Sequence, residues 1–192
     1  MRKLLIFLVI FPGLVYGSSG FYETHAEKIG LTREQGRRFD AIFKKYPHID
    51  LGIFVGDKVY SKDINSMTMS AVAKTVGIIL EASIFELTDT LVIGIDPQKS
   101  LPKTDGEDGC DIFISFDGGP ERKLSVYLKE NRNTGQWMFI SNFDESLFGF
   151  WSTKEILYRI PLKDGSFYED KDNISGIAEV RAEMARTLEE IM

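Results

Sequence analysis

From Thr32 to Tyr46 the apolar positions Phe39, Ile42, Phe43 and Tyr46 recur at three- and four-residue intervals, the spacing of one helix face. Thr32 and Gln35 stand three apart at its start, as a capping box requires, and Pro47 ends the run. Ile49 to Val55, the pair Gly56-Asp57 and Lys58 to Lys62 then predict a short hairpin with a type II′ turn. The next segment, Ser66 to Leu87, is nearly all apolar. Over Met67 to Phe85 its only charges are Lys74 and Glu81, seven residues apart and so on one face of a helix. Two central charges would be costly in hydrocarbon, so the segment is expected to be a buried core helix beneath a sheet.

From Asp89 onward the period changes to two. Thr90 to Ile95 predicts a strand; Cys110, Ile112, Ile114 and Phe116 alternate with Asp111, Phe113, Ser115 and Asp117; Leu124, Val126 and Leu128 alternate with Ser125, Tyr127 and Lys129. Trp137 to Ser141 and Ile156 to Ile160 continue the series. Turns fall at Gly118-Gly119-Pro120, Asn131 to Gly135 and Asp164-Gly165. Ile177, Val180, Met184, Leu188 and Ile191 return to helical spacing at the end. The pattern predicts an α+β fold: an antiparallel, meander-like sheet of about five to seven strands, with helices packed mainly on one face.

The first residues carry a different signal. Arg2 and Lys3 precede the apolar run Leu4 to Phe11, a Pro12-Gly13 break and the small residues Gly17, Ser18, Ser19 and Gly20. That is the layout of a cleavable secretory signal peptide, with Val15 and Gly17 at the recognition positions, so residues 1–17 are expected to be removed. Residues 18–192 are expected to form one domain with no stable membrane anchor, in the periplasm or secreted. The chain has 192 residues, 43% hydrophobic and 27% charged, which excludes a disordered or polytopic membrane protein and leaves an adequate core. Its single cysteine excludes a disulfide scaffold and suits a bacterial periplasm. The net charge is −6, and loss of Arg2 and Lys3 makes it two charges more negative. No basic cluster exceeds a dipeptide, so nucleic acid is not an expected partner; a basic protein is.

Motifs of common chemistry are missing: no Gly-x-Ser-x-Gly elbow, Walker loop, His-Glu-x-x-His or dinucleotide fingerprint occurs. Cys110 opens a strand on its apolar side and is expected to be an inert core residue, since its neighbours Asp108 and Asp111 would oppose a thiolate. His25 and His48 are expected on the surface. The acidic stretches Asp105 to Asp111 and Glu169 to Asn173 lack the ligand spacing of a calcium loop and are expected to be solvated loops, with no cofactor or metal called for.

The richest candidate surface is Phe143-Asp144-Glu145-Ser146-Leu147-Phe148-Gly149-Phe150-Trp151. Four aromatics and two carboxylates surround a flexible glycine between two strands. Rings supply contact area at low entropic cost, and flanking charges steer a partner, so Phe143, Asp144, Glu145, Phe148, Phe150 and Trp151 are the expected partner-binding residues. The expectation is an exported binding or inhibitory protein, of immunity-protein or enzyme-inhibitor type. The alternatives are a small exported hydrolase using carboxylates such as Asp111, Asp117 or Asp144, with or without a cation, and an envelope structural or stress protein.

Overall fold

The computed structural model describes residues 20–55, 67–82, 87–95, 102, 109–130, 137–143 and 147–191. The leader, the acidic stretch 105–108, Lys58 to Lys62 and the pair Asp144-Glu145 lie outside these residues.

The chain is α+β. Among the described residues it has three helices, α1 (Phe21–His25), α2 (Arg33–Lys45) and α3 (Ile177–Ile191). Nine strands form one antiparallel sheet: β1 (Asp50–Val55), β2 (Met67–Val72), β3 (Val76–Ala82), β4 (Leu87–Ile95), β5 (Gly109–Phe116), β6 (Arg122–Glu130), β7 (Trp137–Asn142), β8 (Glu155–Pro161) and β9 (Phe167–Asn173). Their order is β1-β2-β3-β4-β7-β6-β5-β8-β9. The strand number exceeds the expected five to seven, and the meander is broken twice, where β4 is followed in space by β7 and where β8 returns to the far side of β5.

The largest correction concerns Ser66 to Leu87. The expected core helix is two strands, β2 and β3, joined by a turn at 73–75 and paired Val72↔Gly77 through Thr68↔Glu81. The reason is two-sided burial. Val76, Ile78, Leu80 and Ala82 of β3 face the main core, while Ile79 joins Val92, Met138 and Ile140 in a second buried cluster contributed by β3, β4 and β7. β3, apolar on both faces, shows no alternation, so together with the short β2 before it the segment imitates one helix in length. The β-branched Val72, Thr75, Val76, Ile78 and Ile79 were the contrary signal. β1 pairs with β2 from Asp50↔Val72 to Val55↔Met67, and the turn and second strand of the hairpin expected after Ile49 lie outside the described residues.

The helices are locally well specified. Thr32 Oγ1 accepts from the Gln35 amide (3.2 Å) and Gln35 Oε1 accepts from the Thr32 amide (2.8 Å), completing the capping box of α2. The Asp40 carboxylate of α2 accepts the Tyr22 and Glu23 amides at 3.0 and 2.8 Å, satisfying two otherwise unpaired donors of α1. Close contact between α1 and α2 depends on Gly36, where a Cβ would strike the Tyr22 carbonyl. Buried Gln35 and half-buried Arg38 both donate to Glu190, at 3.0 and 2.8 Å, tying α2 to α3. In turn α3 packs on β2 and β3 with Ile177, Val180, Met184 and Leu188 inward.

The last strand was not expected either. Glu169 to Asn173 belongs to the edge strand β9, paired with β8 from Glu155↔Asn173 to Pro161↔Phe167. Asp172 there is only 5% exposed, and its carboxylate accepts the backbone amides of Lys74 (3.2 Å), Thr75 (2.7 Å) and Val76 (2.9 Å). The turn between the second and third strands therefore meets the ninth. The ladder curls back so that strands near its opposite edges touch.

Candidate functional site

The loop after β7 divides its aromatic residues between two jobs. Leu147 and Phe150 are buried, and Phe150 meets Phe143, Trp151 and Phe116 edge-on, at centroid distances of 5.1, 5.2 and 6.2 Å. Phe143 is partly buried and lies flat against Trp151 at 4.6 Å and 16°. The remaining ring goes outward. Phe148 is 80% exposed, and Trp151 is 36% exposed. Of the expected partner-binding residues, the structure thus places Phe150 in the core, Phe143 at its margin, and Phe148 and Trp151 on the surface. Asp144 and Glu145 lie outside the described residues.

The backbone carrying Phe148 is held by side chains. Its carbonyl accepts from Arg122 Nη1 at 2.7 Å, and the same guanidinium sits 5.3 Å from the Phe116 ring centre. The next residue, Gly149, has φ 95°, a left-handed conformation that a side chain would strain. Its carbonyl accepts the hydroxyls of Ser152 (2.9 Å) and Thr153 (2.8 Å), and Thr153 is itself buried. The 3-10 turn Phe150–Ser152 then seats the loop against α3.

A second arginine supports Trp151. The Arg181 guanidinium of α3 lies 5.7 Å from the Trp151 ring centre and donates Nε and Nη2 to the two Asp89 oxygens at 3.0 and 2.7 Å. The hydrogen bond to Asp89 holds the Arg181 guanidinium even more firmly protonated than usual. Arg122, Arg181 and Asp89 were not among the expected site residues. They come from β6, α3 and β4, each far from the loop in sequence, and no local pattern marks them.

The other candidate groups are engaged by the protein itself. Asp111 accepts from Lys123 Nζ (2.6 Å) and Ser125 Oγ (2.7 Å), and these bonds, Lys123's first, hold its carboxyl below the usual range. Asp117 accepts the amides of Lys154 and Glu155 at 3.0 and 2.8 Å. Cys110 is buried in the main core. The histidines, expected on the open surface, are both half-buried and bonded: His25 Nδ1 donates to the Phe21 carbonyl (2.9 Å) and His48 Nε2 to that of Ser175 (3.1 Å). Among the described residues no group of three or more His, Cys, Asp or Glu side chains is arranged to hold a metal ion.

One polar cluster remains, around Asp172. Thr75 Oγ1 donates to Asp172 (3.3 Å) and lies 2.7 Å from the Tyr158 hydroxyl, while Lys74 Nζ pairs with Asp170 at 2.6 Å. Burial pushes the Tyr158 hydroxyl far above the usual phenol range, so it stays protonated and donates. With its donors and acceptors turned on one another, the cluster fastens β9 to the turn at 73–75. No family model, curated protein or solved structure matches the chain.

Proposed function

We propose that this is an exported binding protein, periplasmic or secreted, of inhibitory or immunity type, which acts by protein–protein contact through the loop at 143–151. One observation carries the reading. Among the described residues Phe148 is the most exposed large apolar side chain, yet its backbone is fixed by Arg122 on one side and by the doubly bonded Gly149 carbonyl on the other. An apolar ring held out in water lowers no energy in the isolated protein. Held in one place, it reduces the ordering cost of association, which is how anchors gain affinity.

Further support comes from the leader-like start, the acidic balance of the chain and the lack of common catalytic motifs. A basic partner fits that charge, with Asp144 and Glu145 adjoining the anchor in sequence. The hydrolase alternative gains nothing from Asp111 and Asp117, whose carboxylates are taken up by the protein's own donors. Among the described residues no helix is long and apolar enough to cross a membrane.

Capture from envelope extract tests the reading. The immobilised protein is compared with Phe148→Ala, Trp151→Ala and, as control, Phe167→Ala, an exposed ring on β9 away from the loop. A protein retained by the wild type and by Phe167→Ala, and lost with Phe148→Ala, is expected. An identical captured set for wild type and Phe148→Ala ends the proposal.

A further inference from the structure

The tip of the β5–β6 hairpin grips the loop at 143–151 and the strand that follows it. Asp117 and Gly118 are the central residues of that tip, both at positive φ (49° and 70°), and the Gly119 amide closes the turn on the Phe116 carbonyl at 2.8 Å. The Phe116 ring meets Phe150 edge-on at 6.2 Å. Asp117 accepts the Lys154 and Glu155 amides at 3.0 and 2.8 Å, and its own amide donates to the Glu155 carbonyl at 2.9 Å. Arg122, the residue that leads out of the tip, donates to the Phe148 carbonyl at 2.7 Å. One hairpin end thus holds the loop at three places.

The rest of the tip faces water. Gly118, Gly119, Pro120 and Glu121 are all exposed. Two of them are bare backbone and a third is a proline, so covering them costs little side-chain entropy. A stable protein–protein contact takes about 800 Å² and roughly 20–30 residues from each partner. Residues 143–151 are nine, and Leu147 and Phe150 among them are buried, so the loop alone is too small. Anchors lie near the centre of a contact, which brings the surface on the Arg122 side of Phe148 inside the footprint. That surface is the hairpin tip.

We infer that residues 118–121 and Phe148 form one continuous docking surface, covered as a unit by the basic protein proposed as the loop's partner. The inference rests on Phe148 being an anchor. It adds a patch far from the loop in sequence, with Glu121 as the carboxylate at its rim.

The probe is the protein that the wild type retains from envelope extract, purified and titrated against variants. Pro120→Cys is labelled after folding with an environment-sensitive maleimide dye, which spares buried Cys110. The dye's emission is expected to shift as the partner binds, and the dissociation constant to rise at least tenfold. Lys163→Cys carries the same dye on the exposed turn between β8 and β9, at the end of β8 opposite the tip, and should do neither. Unlabelled Pro120→Arg should weaken binding as much, with an unchanged circular dichroism spectrum. Glu121→Lys should slow association, most strongly at low salt. If Phe148→Ala loses binding while both position-120 proteins bind as wild type with no emission change, the inference falls and the loop reading stands. Wild-type binding by Phe148→Ala removes both.

Discussion

The cluster around Asp172 and the loop around Phe148 are both built from fixed backbone groups, and they use that rigidity in opposite ways. At the cluster a buried carboxylate gathers three amides of the turn at 73–75, and Thr75 and Tyr158 complete the set. Its bonds all point inward and join two distant parts of the sheet. At the loop Arg122, Ser152 and Thr153 fix two successive carbonyls, and the product is a phenyl ring facing water. Ordering a backbone costs entropy in both places. The first repays that cost within the fold, whereas in the proposed reading the exposed ring of the second repays its share on contact with a partner. Fixed geometry alone does not mark a binding site; the proposal for the loop rests on fixed geometry that ends in an exposed ring.

The sharpest way to break this contrast is at the cluster. Asp172→Ala leaves three amides of the turn without their acceptor, and an unsatisfied buried donor costs about 1–3 kcal/mol. We expect a loss of at least about 3 kcal/mol in urea unfolding, with no direct effect on partner capture once the protein is folded. A loss below about 1 kcal/mol would show that the turn and β9 are not fastened by this residue.

Arg181→Ala should come next, because it removes a two-point bond to Asp89 and the cation beside Trp151. With the pair partly exposed, about 1–2 kcal/mol is expected, together with a change in tryptophan emission. Arg181→Lys keeps the charge without the fork and should recover only part of the loss. Gly149→Ala forces a side chain into a left-handed residue and should cost about 1 kcal/mol while weakening capture. That substitution touches both halves of the contrast, since the carbonyl clamp and the pose of Phe148 share this residue.

Acid gives a smaller effect with a defined sign. Burial by itself would raise the Asp170 carboxyl, but the Lys74 ammonium and the Lys171 amide together hold it below its ordinary value. A carboxylate depressed in the fold contributes stability that is fully present above its unfolded pKa, about 4, and is lost as pH falls through the lower, folded value. Unfolding followed from pH 5 to pH 2 should therefore show less acid sensitivity in Asp170→Asn than in the wild type. Equal slopes would remove Asp170 from the seam.

Sequence and structure agree where one face of an element is wet. The capping box of Thr32 and Gln35, the stripe along α3 and the alternation of β5 and β6 all have a polar side to contrast with. They part where that contrast disappears. β3 is buried on both faces and resembled a helix, while β9 turns Asp170 and Asp172 toward the interior and resembled an acidic loop. The loop at 143–151 stood out by composition, but which ring enters the core depends on Phe116, and what steadies the rest depends on Arg122 and Arg181. Those partners meet only in three dimensions.

Phe148→Ala separates the two halves of the account in one protein. With its ring 80% exposed, the truncation should leave thermal and urea unfolding within about 0.5 kcal/mol of wild type, as expected for a surface residue outside the packing. Binding to the captured partner should fall by about 2 kcal/mol or more, close to thirtyfold in dissociation constant, as for an anchor at an interface centre. Measured side by side by calorimetry, unchanged stability with weakened binding is the predicted result. Unchanged binding in a protein that has lost stability would contradict it, and would make Phe148 part of the fold.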